Sequence, residues 1–274
     1  MRDDSGWLSM QSPKPTRHIL SLSGGKDSTA LAIYLRDRVP EMEYVFMDTG
    51  EELPETYEYI EKLEAYLGKP IVRLNPERPF HHWLLVYRGV LPDPRNRWCT
   101  RKLKIEPFER YVGDDLCYNY VGIRSDEAQR KGYISTKPNI IPRYPFVDDG
   151  VTKEDVLRIL EESGLGLPEY YRWRSRSGCY FCFFQQKIEW IGLHESHPRL
   201  FEKAAGFEKY DPVTGARFTW SEGEPLSALL DDERRREIRH NAAKRTALHK
   251  TARTKLWDIF ADEDDQEGCL VCHL

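Results

Sequence analysis

The chain has 274 residues, 31% of them charged and 40% hydrophobic, a globular composition long enough for one large α/β domain with appendages or two small ones. No apolar run approaches the roughly 20 residues that span a bilayer, and Met1–Trp7 has no apolar signal core, so a cytoplasmic protein with no membrane partner is expected. A formal net charge of −4 excludes a globally basic nucleic-acid binder and leaves that role to local basic patches.

Residues 1–16 are polar, contain Pro13 and Pro15, and read as a loose leader. His18–Leu22 is an apolar run that predicts a first strand, and Thr29–Leu35 has helical character. Between them stands Ser23-Gly24-Gly25-Lys26-Asp27-Ser28. A strand, a glycine turn and a helix N-terminus in that order make an anion cradle. Gly24 and Gly25 let backbone N–H groups approach phosphate oxygens, and the helix dipole points its positive end at the same place. Lys26 adds a point charge, and Ser23 and Ser28 add hydroxyls. The four-residue spacer of the Walker loop is missing.

Tyr44–Met47 predicts a second buried strand, ending in the turn Asp48-Thr49-Gly50. Asp48, at a strand end beside the phosphate loop, suits a magnesium ion or a nucleotide, although acidic residues are favoured at a helix N-terminus in any case. Residues 54–67 predict a helix and 70–74 a third strand, so the alternation implies a doubly wound parallel sheet with ligands beyond the strand C-termini. Residues 75–98 read as irregular. A short helix is predicted over 104–112 and a fourth strand over 118–123, running into Arg124-Ser125-Asp126-Glu127 and Arg130. Residues 140–147 return toward the sheet. Thr152 is a candidate N-cap with Asp155 completing a capping box. A helix is expected around 187–193, and a basic one over roughly 232–257 follows a polar stretch at 206–226. That basic helix suits nucleic-acid phosphates or a solvated face balanced by neighbouring acids.

Six cysteines in such a chain point to metal or redox chemistry rather than a disulfide framework. Cys179/Cys182 and Cys269/Cys272 form two Cys-x-x-Cys pairs, while Cys99 and Cys117 stand alone. Arg172, Arg174 and Arg176, beside the first pair, suit the stabilisation of thiolates or anionic substrates.

The Ser23–Ser28 segment resembles the PP-loop of the ATP pyrophosphatase superfamily. The ordered set that follows resembles the phosphoadenylyl-sulfate (PAPS) reductase family within it: the Asp48 turn with Pro54-Glu55-Thr56, the Cys99 stretch leading to Lys104-Ile105-Glu106-Pro107, Gly122-Ile123-Arg124 with Glu127 and Arg130, Tyr144-Pro145-Phe146, Thr152–Val156 and Gly178–Cys182. The likeness covers roughly residues 17–202. It implies a mostly parallel, doubly wound α/β fold of the adenine nucleotide α-hydrolase type over 17–165, with a helical, Cys-rich region over 166–274. It also implies an adenine nucleotide held by Ser23, Gly24, Gly25, Lys26, Asp27, Ser28, Asp48, Gly122, Arg124 and Arg130, with Lys26, Asp27, Asp48 and Arg124 acting in catalysis and magnesium near Asp48 or Asp27.

Two departures bear on the reaction. Adenylyl-sulfate reductases bind a four-iron cluster through a Cys-Cys pair and a later Cys-x-x-Cys, but here Cys99 is followed by Thr100. A metal set would therefore be Cys99, Cys179 and Cys182 with Cys269 or Cys272, holding a 4Fe-4S cluster or zinc. Sulfonucleotide reductases also drift from the full loop pattern, which this chain keeps together with Lys26, as do DNA-phosphorothioation and CRISPR-associated reductase-like proteins. The resemblance thus implies ATP cleavage between the α and β phosphates, adenylating an acceptor for sulfur transfer from a sulfur-donor partner. The alternatives are a PAPS or adenylyl-sulfate reductase using Cys272 as a mobile nucleophile, and a non-catalytic nucleotide- and metal-binding module of a defence complex.

Overall fold

The computed structural model describes residues 16–127, 129–130, 135–210, 213, 217–221 and 223–251. The leader at 1–15, the end of the basic helix beyond Thr251, and Cys269 and Cys272 lie outside the described residues.

The strands β1 (Arg17–Leu22), β2 (Glu43–Met47), β3 (Ile71–Leu74), β4 (Cys117–Tyr120) and β5 (Ile140–Arg143) form one sheet in the order β3-β2-β1-β4-β5. Every pair is parallel, with Leu20 opposite both Tyr44 and Tyr120. Helices α1 (Lys26–Leu35) and α2 (Pro54–Leu67) follow β1 and β2. Neighbouring strand residues point to opposite faces, and both faces are buried. Leu20, Leu22, Tyr44 and Phe46 pack with residues of α1 and α2, while Ile19, Val45 and Met47 pack with Phe108 and Val112.

The segment read as irregular contains a helix, α3 (Phe80–Val86), entered from Pro79 in extended conformation. Only Phe80 and Leu84, one turn apart, carry its buried face, so the period is too short to stand out among prolines, arginines and aromatics. The helix expected at 104–112 starts earlier. The turn α4 (Trp98–Thr100) runs through a π-helical stretch, Arg101–Ile105, into α5 (Glu106–Val112). Pro107 has no N–H to give to the preceding turn, and the widened stretch ends where that bond would be needed. The predicted fourth strand ends at Tyr120, which frees Val121–Arg124 to cross toward α1.

After β5 come α6 (Pro145–Asp148) and α7 (Lys153–Glu162). The capping box of α7 is present: Asp155 N–H donates to Thr152 Oγ1 at 3.5 Å, and Thr152 N–H donates to Asp155 Oδ2 at 2.9 Å. Helices α8 (Lys187–Ser196) and α9 (Pro198–Ala205), a two-stranded antiparallel ribbon of β6 (Lys209–Tyr210) and β7 (Arg217–Phe218), and α10 (Asp232–Thr251) complete the described chain. A third hydrophobic cluster crosses residue 165, joining Leu53, Phe80, Trp98 and Leu103 to Tyr170, Phe181, Trp190 and Trp220. Among the described residues no helix is long and apolar enough to cross a membrane.

Candidate functional site

The order of the sheet turns around between β1 and β4, the place where open α/β sheets leave a crevice beyond their strand C-termini. The Ser23–Ser28 loop lies there. Gly24 has φ +71°, and a Cβ on it would come within 2.5 Å of Thr56 Cγ2 from α2. On the other side, a Cβ on Gly122 would come within 3.1 Å of the Asp27 carbonyl, so the loop after β4 packs directly on the first turn of α1. Ser28 holds the bend by accepting the Ser23 N–H at 3.1 Å and donating to Gly25 O at 3.3 Å. Gly25 caps α1 without a side-chain bond, leaving helix N–H groups for other acceptors.

Lys26 lies 3.2 Å from Asp27 Oδ2 and 5.5 Å from the centroid of the Tyr171 ring. Burial opposes its charge, but Tyr171 and Asp27 outweigh that cost and hold its pKa above the usual lysine value. The ammonium therefore persists through the neutral range.

Arg124 was expected to meet an anionic ligand; its guanidinium is occupied by protein carboxylates. NH1 reaches Asp27 Oδ1 at 2.8 Å, Nε reaches Asp126 at 3.0 Å and NH2 reaches Glu127 at 2.6 Å. Arg124 and Asp27 are each 5% exposed. In this geometry Arg124 ties the first turn of α1 to the segment after β4. Arg130 donates to the other oxygen of Glu127 at 2.7 Å, which extends the same network. Asp27 is likewise committed to two cations. Asp48 differs: its Oδ1 accepts from Gly50 N–H and Tyr57 O–H, each at 2.8 Å, and both donors are neutral. Of the two expected magnesium ligands, Asp48 is the one whose charge fits a cation.

Cys99, Cys179 and Cys182 line one small cavity of about 30 Å³ with Thr49, Pro92, Leu103, Lys104 and Phe183. Cys179 Sγ is 3.3 Å from Thr49 Oγ1 and donates to Glu52 Oε1 at 3.7 Å, and Lys104 Nζ stands 4.0 Å from that same oxygen. Burial, with the Glu52 charge beside it, pushes the Cys179 thiol well above its usual range. Cys117 lies apart in the sheet core, and burial pushes it up to about 12. The expected metal set is brought only part of the way together: among the described residues no group of three or more His, Cys, Asp or Glu side chains is arranged to hold a metal ion. Of the three arginines beside the pair, only Arg174 is buried, donating to the carbonyls of Gly178 and Cys179 at 2.9 Å each. Arg172 pairs with Glu169, and Arg176 stands over Phe184. On α10, Arg234 meets Glu224 and Glu237, and Arg239 meets Glu195, so much of the described basic face is balanced by acids.

Thr49, Glu52, Lys104, Tyr170, Tyr171 and Ser177 stand in segments that the sequence marks, but none was given a role in the site. The contact of Tyr171 with the loop spans 145 positions and has no local signal.

Several known proteins are similar to this chain. An uncharacterized protein of Methanocaldococcus jannaschii is 28% identical over 198 residues, covering 68% of this chain and 40% of that protein. A nin region protein of Escherichia phage lambda is 28% identical over 211 residues, 64% of this chain and 68% of its own length. A tRNA-specific 2-thiouridylase of Lactococcus lactis is 30% identical over 139 residues, 44% of this chain and 37% of the enzyme. The chain spans 40% and 56% of the length of two Methanocaldococcus relatives. The crystal structure of phosphoadenylyl-sulfate reductase from Candida auris, a phosphate complex, aligns at TM-score 0.48 and 15% identity over 64% of this chain and 86% of that one. Residues 17–182, from the first residue of β1 to Cys182, match the phosphoadenosine phosphosulfate reductase domain, and the chain belongs to that family.

Proposed function

We propose that the chain binds ATP at the Ser23–Ser28 loop and cleaves the bond between the α and β phosphates, adenylating an acceptor for sulfur transfer. The observation that carries this reading is the complete loop at the reversal of the sheet order, with a Lys26 ammonium held charged beside an α1 N-terminus that has no side-chain cap from its own N-cap residue. The likeness of 44% of the chain to a tRNA-specific 2-thiouridylase supports sulfur as the group delivered.

The loop amides and the Ser23 and Ser28 hydroxyls bind the β and γ phosphates, and Lys26 offsets their charge. An acceptor oxygen attacks the α phosphorus, the bond to the bridging oxygen of the β phosphate breaks, and pyrophosphate leaves with that oxygen. A sulfur nucleophile then displaces AMP from the adenylated acceptor. Asp48 is the residue to hold magnesium, which when bound supplies charge neutralisation of the leaving pyrophosphate. Arg124 keeps Asp27, and with it the start of α1, in place.

A second reading, reduction of a sulfonucleotide with release of sulfite, is favoured by the 3.3 Å contact between Thr49 of the Asp48 turn and Cys179. Thiols then lie next to the nucleotide loop. A cluster or zinc on Cys99, Cys179 and Cys182 would need a further thiolate from Cys269 or Cys272. Iron, zinc and acid-labile sulfide analysis of the purified chain decides its presence.

The test is anaerobic incubation with Mg-ATP, with AMP and pyrophosphate quantified beside Lys26→Ala. Release that disappears in the variant supports cleavage at the α–β bond. No release from ATP, with sulfite formed from PAPS, transfers the reading to the reductase.

A further inference from the structure

The N-terminus of α1 receives its hydroxyl contacts from a remote segment. Lys26 N–H donates to the Tyr171 hydroxyl at 3.2 Å. The Tyr170 hydroxyl donates to Gly24 O at 2.7 Å, and the Tyr170 and Tyr171 rings stack with centroids 4.9 Å apart. Ser177 Oγ donates to Ser23 Oγ at 3.1 Å, and Ser23 Oγ lies 3.1 Å from Ser28 Oγ. The approach is close enough that a Cβ on Gly25 would stand 2.7 Å from Ser177 Oγ. Residues 170–177 thus form a wall over the phosphate loop, and two of their hydroxyls occupy positions where an anion on this helix end would be met.

We propose that Tyr171 and Ser177 are ligand residues of the nucleotide's β and γ phosphates, the Tyr171 hydroxyl lying at the Lys26 amide on the end of α1 that would receive a phosphate oxygen. This rests on the reading of the loop as a phosphate cradle. When a phosphate oxygen takes the Lys26 N–H, the phenol loses a donor and gains an anionic acceptor beside it, so it turns from accepting to donating. The phenol oxygen and a phosphate oxygen cannot share that place, so the ring shifts by about the width of one oxygen. Tyr170 is anchored on Gly24 O, and Lys26 faces the Tyr171 ring, so the hydroxyl stays within reach of the same oxygen.

Ser177 acts in the same way. Its hydroxyl donates to Ser23, and a rotation about its Cβ–Oγ bond turns that proton to an anion while Ser23 and Ser28 reorient behind it. The exchange is favourable because a neutral amide–phenol bond is replaced by charge-assisted bonds to phosphate, which are about twice as strong. The wall also explains why a phosphate loop with one lysine suffices: four hydroxyls, two of them from another part of the chain, share the anion's charge with the helix amides.

The test is titration calorimetry of the full chain with Mg-ATP and with inorganic pyrophosphate, comparing wild type, Tyr171→Phe and Ser177→Ala, each checked for an intact far-ultraviolet spectrum. Each variant is expected to bind both ligands about fivefold more weakly, the loss of one charge-assisted bond net of the neutral bond it replaced. The loss should be equal for the two ligands because the contact is to phosphate. Affinity for ATP that is unchanged or tighter in Tyr171→Phe overturns the proposal, since the hydroxyl would then be a bystander or a competitor. A loss for ATP but not for pyrophosphate overturns it as well, because the contact would be to the nucleoside. A wild-type chain that binds neither ligand removes the cradle and the proposed function together, whereas cleavage of ATP by wild type with unaltered binding in both variants removes this inference alone.

Discussion

In the loop between β1 and α1, six consecutive residues supply the amides, hydroxyls and ammonium of the cradle, whereas the cavity beside Cys179 takes its walls from Thr49, Pro92, the Cys99–Lys104 turn and the Cys179–Phe183 segment. The loop is polar and held by hydrogen bonds and one buried ion-pair network around Arg124. The thiol cavity is walled by apolar side chains and set by the packing of Phe80, Trp98, Phe181 and Trp220. The backbone part of the loop tolerates distant change as long as the sheet stands, while the Tyr171 and Ser177 hydroxyls depend on the segment that carries them. A site made from side chains of four segments depends on the core that gathers them.

That contrast can be broken on either side. Phe80→Ala removes a fully buried ring in contact with Trp98 and Phe181, and is expected to cost ~4–5 kcal/mol in urea unfolding. ATP affinity measured on the folded fraction should fall by no more than about fivefold, because the loop amides depend on the sheet while Tyr170 and Tyr171 pack in the cluster that holds Phe80. A parallel collapse of affinity would show the two regions to be one cooperative unit. Arg124→Met leaves the buried carboxylates of Asp27 and Glu127 without their shared cation and should cost ~3–4 kcal/mol. Here affinity should fall with stability, since Asp27 opens α1; an undiminished ATP affinity would mean that the start of α1 holds its place without this tie. Thr152→Ala removes the cap of α7 away from both regions and should cost ~1 kcal/mol with ATP binding unchanged.

What could be read in advance follows the same division. The helix at 54–67 is found with its expected limits because Pro54 starts it and Gly68, with φ +64°, ends it. The capping box at Thr152 and Asp155 is a contact between residues three apart and was equally legible. The helix α3 was not, since one buried turn gives no period to detect. The π-helical stretch before Pro107 was not, because a proline in the first turn of a helix is read as an ordinary helix start. The carboxylate partners of Arg124 were not legible: a guanidinium just past a strand can meet an anionic ligand or a protein carboxylate, and only the position of Asp27 shows that contact.

Strand, turn and helix around Ser23–Ser28, the alternation that makes a parallel sheet, and the pairing of Cys179 with Cys182 were determined by residues close together in the chain, where backbone geometry and period act without outside help. Which carboxylates are paired with protein cations, which arginine is occupied by protein, and which hydroxyls stand over the Ser23–Ser28 loop were decided only by tertiary structure. Those properties depend on desolvation and on contacts across 97 to 154 positions, as between Arg124 and Asp27 or Ser177 and Ser23, and no local pattern encodes the distance between groups so far apart in the chain.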